Sequence, residues 1–151
     1  MLFRRFTDAD GAPVALTTEA REALDPTDAR AVSRQLAPRP PLAEALAAAA
    51  SGATAMMDIS DGLVLDATRL ADASDVTIEI DSATLGDDPA RALDGGEDHG
   101  FLVTFPPDAE PRGRRIGTVI ARDGEAVRVD GRAWEGLGGW DPYRDWDAGR
   151  G

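Results

Sequence analysis

The chain contains neither cysteine nor lysine, and only 5% of its 151 residues are aromatic. The lack of cysteine excludes disulfides, zinc–thiolate centres and thiol nucleophiles. The lack of lysine leaves arginine and the single His99 as the only cationic side chains, and 28 acidic against 16 basic residues give a net charge of −12. A surface this acidic disfavours nucleic acid and anionic membrane, so neither is expected as a partner. Any phosphate ligand needs metal ions or well-placed donors to offset the repulsion. Long apolar runs are missing too: none approaches the length of a membrane span, and "MLFRRFTDADG" lacks the apolar centre of a signal peptide. A cytoplasmic setting is the expectation.

What remains is a chain that is 42% apolar, with alanine carrying much of that count. Its length suits one core that buries about two-thirds of the unfolded surface. Residues 1–37 read as an irregular and helical lead-in, with "TTEAREAL" and "TDARAVSRQLA" as its helical segments. After "PRPPL", Pro41 is placed to open a helix through "LAEALAAAA", which ends at Ser51 and Gly52. "ATAMMDI" reads as a buried strand, "LVLDATRLADAS" as a helix, and "VTIEID" as a strand with Val76, Ile78 and Ile80 on one face. "DDPARAL" is a short helix opened near Pro89, and "HGFLVTF" is a further strand. "RIGTVIA" and "AVRVDG" are predicted to form a hairpin through Asp123 and Gly124. This order predicts an α+β domain, a mixed sheet with helices on one face.

Two knots of polar residues interrupt the pattern. In "DISDG", Asp58 ends a strand, Asp61 begins a helix, and Ser60 sits at or next to the N-cap. Free N–H groups at a helix N-terminus favour anions, so Ser60 and its neighbouring amides are candidates to hold a phosphate oxygen. Two carboxylates so close together are hard oxygen ligands of the kind Mg²⁺ takes, alongside waters and substrate phosphates. The alternative is structural: Ser60 or Asp61 caps the helix, and Asp58 merely closes the strand. The second knot, "LDGGEDHGFLVTF", sets paired glycines before Glu97 and Asp98, which can bring backbone close to a ligand; in isolation it reads as a solvated turn leading into a strand.

Taken in order, "RPPLAEALAAAASGATAMMDISDGLVLDATRLADAS", "VTIEID", "ALDGGEDHGFLVTF", "IGTVIA", "VRVDG" and "GGWDPY" resemble the carboxy-terminal half of thiamine-monophosphate kinase. That family belongs to the superfamily of aminoimidazole ribonucleotide synthetase. The resemblance implies that 38–151 form the kinase carboxy-terminal domain and that ATP, with Mg²⁺, phosphorylates thiamine monophosphate to thiamine diphosphate. It implies that Asp58 and Asp61 are metal ligands and Ser60 an ATP contact. Glu97 and Trp140 would lie on the substrate side, where an aromatic face suits a flat cationic ring. No catalytic nucleophile is implied, because phosphoryl transfer rests on positioning and charge neutralisation. His99 reads as structural, with a ligand-facing role as the alternative; Trp134 and Trp146 read as packing residues.

The sequence departs from the family's pattern in lacking an amino-terminal half with its aspartate-rich metal site. A truncated chain, inactive alone, that forms a homo-oligomer or binds a partner supplying that half is therefore expected. "PPDAEPRGRR" stands where a helix is often found, so no helix is expected there. Two alternatives remain at this point: a related superfamily member acting on another small substrate, and a non-catalytic interaction module.

Overall fold

The computed structural model describes residues 17–18, 22–26, 29–30, 32–33, 37–95, 99–111, 113–136 and 138–139. The chain divides into two compact units, Met1–Arg39 and Pro40–Gly151. In the first, Thr18, Glu22, Pro26, Ala29, Arg30, Val32 and Ser33 are helical, and the Ala29 N–H donates to the Asp25 carbonyl at 2.9 Å.

The second unit opens with α1, Leu42–Ala50, with Pro41 at its N-cap. Its end is held by the Ser51 hydroxyl, which donates to the Ala47 carbonyl at 2.8 Å. None of its residues is buried, and Leu42 and Leu46 are 61% and 73% exposed. Leucines four apart lie on one helical face, so this face is apolar and open to solvent.

Strand β1 (Ala55–Ile59) pairs antiparallel with β3 (Gly100–Thr104) as a two-stranded sheet, in a register that sets Asp58 opposite Phe101 and Ile59 opposite Gly100. The expectation of a buried β1 is corrected here. Its residues are half-buried and Asp58 is exposed, because a two-stranded ribbon gives neither strand a second neighbour.

The larger sheet has four strands in the order β4 (Gly117–Ala121), β2 (Val76–Ile80), β5 (Val127–Val129), β6 (Arg132–Ala133). β2 runs antiparallel to β4 and parallel to β5. The predicted β4–β5 hairpin does not form: β2 lies between the two strands, and the connection crosses the end of that strand. The crossing is fixed by Thr77, fully buried, whose hydroxyl donates to the Glu125 carbonyl at 2.6 Å and accepts from the Asp123 N–H at 3.0 Å.

Helix α2, Leu63–Ser74, packs on β1, β2 and β5 and on the short α3, Pro89–Asp94. Ala67 and Ala71 are fully buried, and their small side chains let the helix lie close to the sheet. Leu63 and Val64 complete its inner face against Ile78, Ile80, Leu93, Leu102, Val127 and Val129. Burying side chains such as Ile80 and Leu93, only 1% and 2% exposed, contributes roughly 1.5–3 kcal/mol each. The result is an α+β arrangement with mixed strand pairing, and no helix occurs among the described residues of 105–116.

Candidate functional site

The turn between β1 and α2 carries Asp58, Ser60 and Asp61. Contrary to expectation, neither Ser60 nor Asp61 caps the helix: Gly62 is the N-cap, and there is no side-chain cap hydrogen bond. Gly62 has φ +135°, and a Cβ there would lie 2.7 Å from the Gly139 Cα and 2.8 Å from the Gly138 carbonyl oxygen. The helix is capped instead by distant backbone, with the Leu65 N–H donating to that same Gly138 carbonyl at 2.9 Å. A helix end needs partners for its free N–H groups, and here the chain itself supplies one of them.

The turn is held from inside by Asp66, which is 1% exposed. Its Oδ2 accepts from the Ser60 and Asp61 amides at 2.9 and 3.0 Å, and its Oδ1 accepts from Arg69 Nη1 at 2.8 Å. The same Nη1 donates to Asp61 Oδ2. The hydrogen bond to Asp61 is the largest cause of the Arg69 pKa lying above its ordinary value. The amides of Ser60 and Asp61 are thus committed to Asp66, which corrects the expectation that they face a phosphate. What the turn can offer outward is the Ser60 hydroxyl, the exposed Asp58 carboxylate and the second oxygen of Asp61.

Sequence reading overlooked Asp66 and Arg69. The signal was present, however: an aspartate in the middle of "LVLDA" is out of place on the apolar side of an amphipathic helix.

Of the other motifs, Glu97 and Trp140 lie outside the described residues, as does Trp146. Residues flanking both motifs converge on the start of α2. Asp94, just before the paired glycines of "GGED", accepts at Oδ1 from the Gly138 N–H at 3.0 Å and from Trp134 Nε1 at 3.3 Å. Trp134 also packs against the core, as a packing residue should. His99, with φ +48°, lines an open cleft of about 550 Å³ together with Asp58, Phe101, Met56, Met57, Pro40 and Leu42.

Among the described residues no group of three acidic, histidine or cysteine side chains gathers in a way that could hold a metal ion. Asp58 and Asp61 still suit Mg²⁺ as a partial shell, since that ion takes one or two carboxylates and fills the rest with water and phosphate oxygens. No helix among the described residues is long and apolar enough to cross a membrane.

The "AIR synthase related protein, C-terminal domain" family matches residues 7–130. Thiamine-monophosphate kinase of Mycobacterium tuberculosis is 40% identical over 130 residues, covering 76% of this chain and 38% of its own length. A solved structure of AaThiL complexed with AMPPCP and TMP superposes with a TM-score of 0.67 at 34% identity, covering 79% of this chain and 43% of that one. The crystal structure of thiamine monophosphate kinase from Aquifex aeolicus gives 0.64 at 36% identity, covering 76% and 44%. The chain spans about two-fifths of the length of the curated relative from Mycobacterium tuberculosis. With most of its length matched, this chain belongs to the AIR synthase related family and carries that family's C-terminal domain.

Proposed function

We propose that the chain is the substrate- and metal-binding part of a kinase that transfers the γ-phosphate of ATP to thiamine monophosphate, giving thiamine diphosphate. The observation that carries this reading is the convergence on one helix end of "DISDG", the flanks of "GGED" and the glycines of "GGWD". It occurs in a chain 40% identical to a thiamine-monophosphate kinase. That a related protein holds AMPPCP, an ATP analogue, and TMP gives further support.

In this reading Asp58 and Asp61 contribute carboxylate oxygens to Mg²⁺, and the Ser60 hydroxyl contacts ATP. Glu97 and Trp140 face the thiamine moiety, and residues 38–151 form the domain that carries them all. Mg²⁺, when bound, supplies neutralisation of the phosphate charge. The chain's own part is to orient the acceptor: an oxygen of the substrate's phosphate attacks directly, so no side-chain nucleophile is required. A cytoplasmic setting, where ATP and Mg²⁺ are abundant, suits this chemistry.

The open apolar face of α1, with Leu42 and Leu46 exposed, supports a partner or second copy that brings the remaining site residues. A non-catalytic interaction module is the second reading, favoured by the lack of a third metal-binding side chain among the described residues.

Mixing the chain with a separately produced amino-terminal half of a thiamine-monophosphate kinase, Mg²⁺, ATP and thiamine monophosphate should yield thiamine diphosphate. The chain alone should yield none. Asp58→Asn combined with Asp61→Asn should cost at least about a hundredfold in Mg²⁺ affinity, since changes merely adjacent to a metal ligand already approach that figure. Folded halves that associate yet form no product would favour the module.

A further inference from the structure

We propose that Arg69 is a tethered counter-cation that competes with divalent metal for Asp61, so that the site binds metal tightly only together with nucleotide phosphate. This rests on the metal reading above. Arg69 Nη1 is shared between Asp61 Oδ2 and Asp66 Oδ1, and the two partners differ sharply in exposure. Asp66 is buried at 1%, whereas the Asp61 and Arg69 side chains are 24% and 36% exposed. Asp66 is therefore the buried anchor and Asp61 the partner that solvent and ions can reach.

While Arg69 holds Asp61, one carboxylate oxygen is occupied and a positive charge sits beside the other. Any cation reaching that second oxygen meets the guanidinium at short range. Repulsion between like charges grows as the inverse of their separation, so it is strongest at this contact range. A divalent ion meets twice the repulsion at equal separation. The phosphates of a nucleotide remove the conflict, because their negative charge faces both the metal and a guanidinium still fastened to Asp66. Free metal is thus bound weakly, and the metal–nucleotide complex is preferred.

Mn²⁺ titrations followed by electron paramagnetic resonance test this on the whole chain. Arg69→Gln keeps a donor for Asp66 and removes the charge; it should bind free Mn²⁺ at least about tenfold more tightly than the wild type. Arg69→Lys should restore weak binding, and Asp61→Asn should abolish the gain in the Arg69→Gln background. Equal or weaker Mn²⁺ binding by Arg69→Gln overturns the proposal. So does a gain that survives Asp61→Asn.

Should Arg69→Gln fail to fold, ¹⁵N spectra of the arginine side chains in the wild type decide the matter. On addition of Mg²⁺ with AMPPCP the Arg69 signals should move saturably, while those of Arg122, paired with Asp72, stay in place. Unmoved Arg69 signals at saturation overturn the proposal. If wild type and Arg69→Gln bind Mn²⁺ equally through Asp61, the metal reading stands and the role of Arg69 falls. If neither binds, with or without AMPPCP, the metal reading falls and takes this inference with it.

Discussion

Replacing Asp66 with alanine should lower the unfolding midpoint by about 10 °C, the equivalent of roughly 3 kcal/mol in a domain of this size. Both oxygens of Asp66 are in use: Oδ2 accepts from the Ser60 and Asp61 amides, and Oδ1 from Arg69. Alanine strips all three donors at once, and each buried donor left unpaired costs about 1–3 kcal/mol. The loss is smaller than the sum. Arg69 is 36% exposed and keeps Asp61, so it recovers part of its solvation. The two amides, drawn inward by a residue 1% exposed, have less recourse to water.

Asparagine should recover only part of the loss, for a geometric reason. Asp66 accepts on both sides, whereas a carboxamide accepts on one side and donates on the other. Its NH₂ group must therefore face either Arg69 or the pair of amides, and both are donors. Thermal melts followed by circular dichroism would order the variants wild type, Asn, Ala. A melt of Asp66→Ala within about 3 °C of the wild type, less than 1 kcal/mol, would show that Asp66 does not hold the turn.

The same residue marks the limit of what the sequence reveals. Periodicity placed α2 and β2 because their buried positions, such as Ala67 with Ala71 and Ile78 with Ile80, repeat at the helical and strand spacings. "DISDG" stood out because two carboxylates and a serine crowd one turn. Asp66 carried a fainter signal, its place on the apolar side of the helix, and Arg69 carried none, because its partners are set by tertiary packing.

Sheet order was hidden for a related reason. The turn chemistry of "RDGE" is the same whether its strands pair with each other or straddle a third. What decides is the buried Thr77 hydroxyl, 46 residues away in sequence, which bonds to Asp123. The burial of β1 was overestimated because "AMM" is apolar, and strand burial depends on neighbours that a two-stranded ribbon lacks. The docking of Gly138 and Gly139 on α2 had no local signature beyond two adjacent glycines.

That docking yields the second large effect, expected from Gly139→Ala. A Cβ at Gly139 would lie 2.1 Å from the Asp61 carbonyl oxygen and 3.1 Å from the Gly62 Cα. Both are backbone atoms, so no side chain can swing away. Gly139 also has φ +138°, where a side chain adds about 1–3 kcal/mol of strain. The cheapest relief is local: the 138–139 turn lifts off, and the Leu65 N–H loses the Gly138 carbonyl. Exchange of the Leu65 amide should then speed up by about a hundredfold, the equivalent of roughly 3 kcal/mol. The global melt should fall less than for Asp66→Ala, because undocking caps the cost.

Gly113→Ala is the control that separates clash from strain. Gly113 has φ +128° but nothing within 4 Å of the place a methyl would take, so the variant carries the conformational penalty without the collision. Leu65 exchange should be unchanged there. If Gly139→Ala also left it unchanged, the glycines would not be the cap of α2. The consequence extends to the proposed substrate side, since Trp140 follows Gly139 directly in the chain. In the proposed reading that residue faces the thiamine moiety, so its placement depends on the docked turn. Gly139→Ala should therefore weaken thiamine monophosphate binding while leaving Mn²⁺ binding through Asp61 intact.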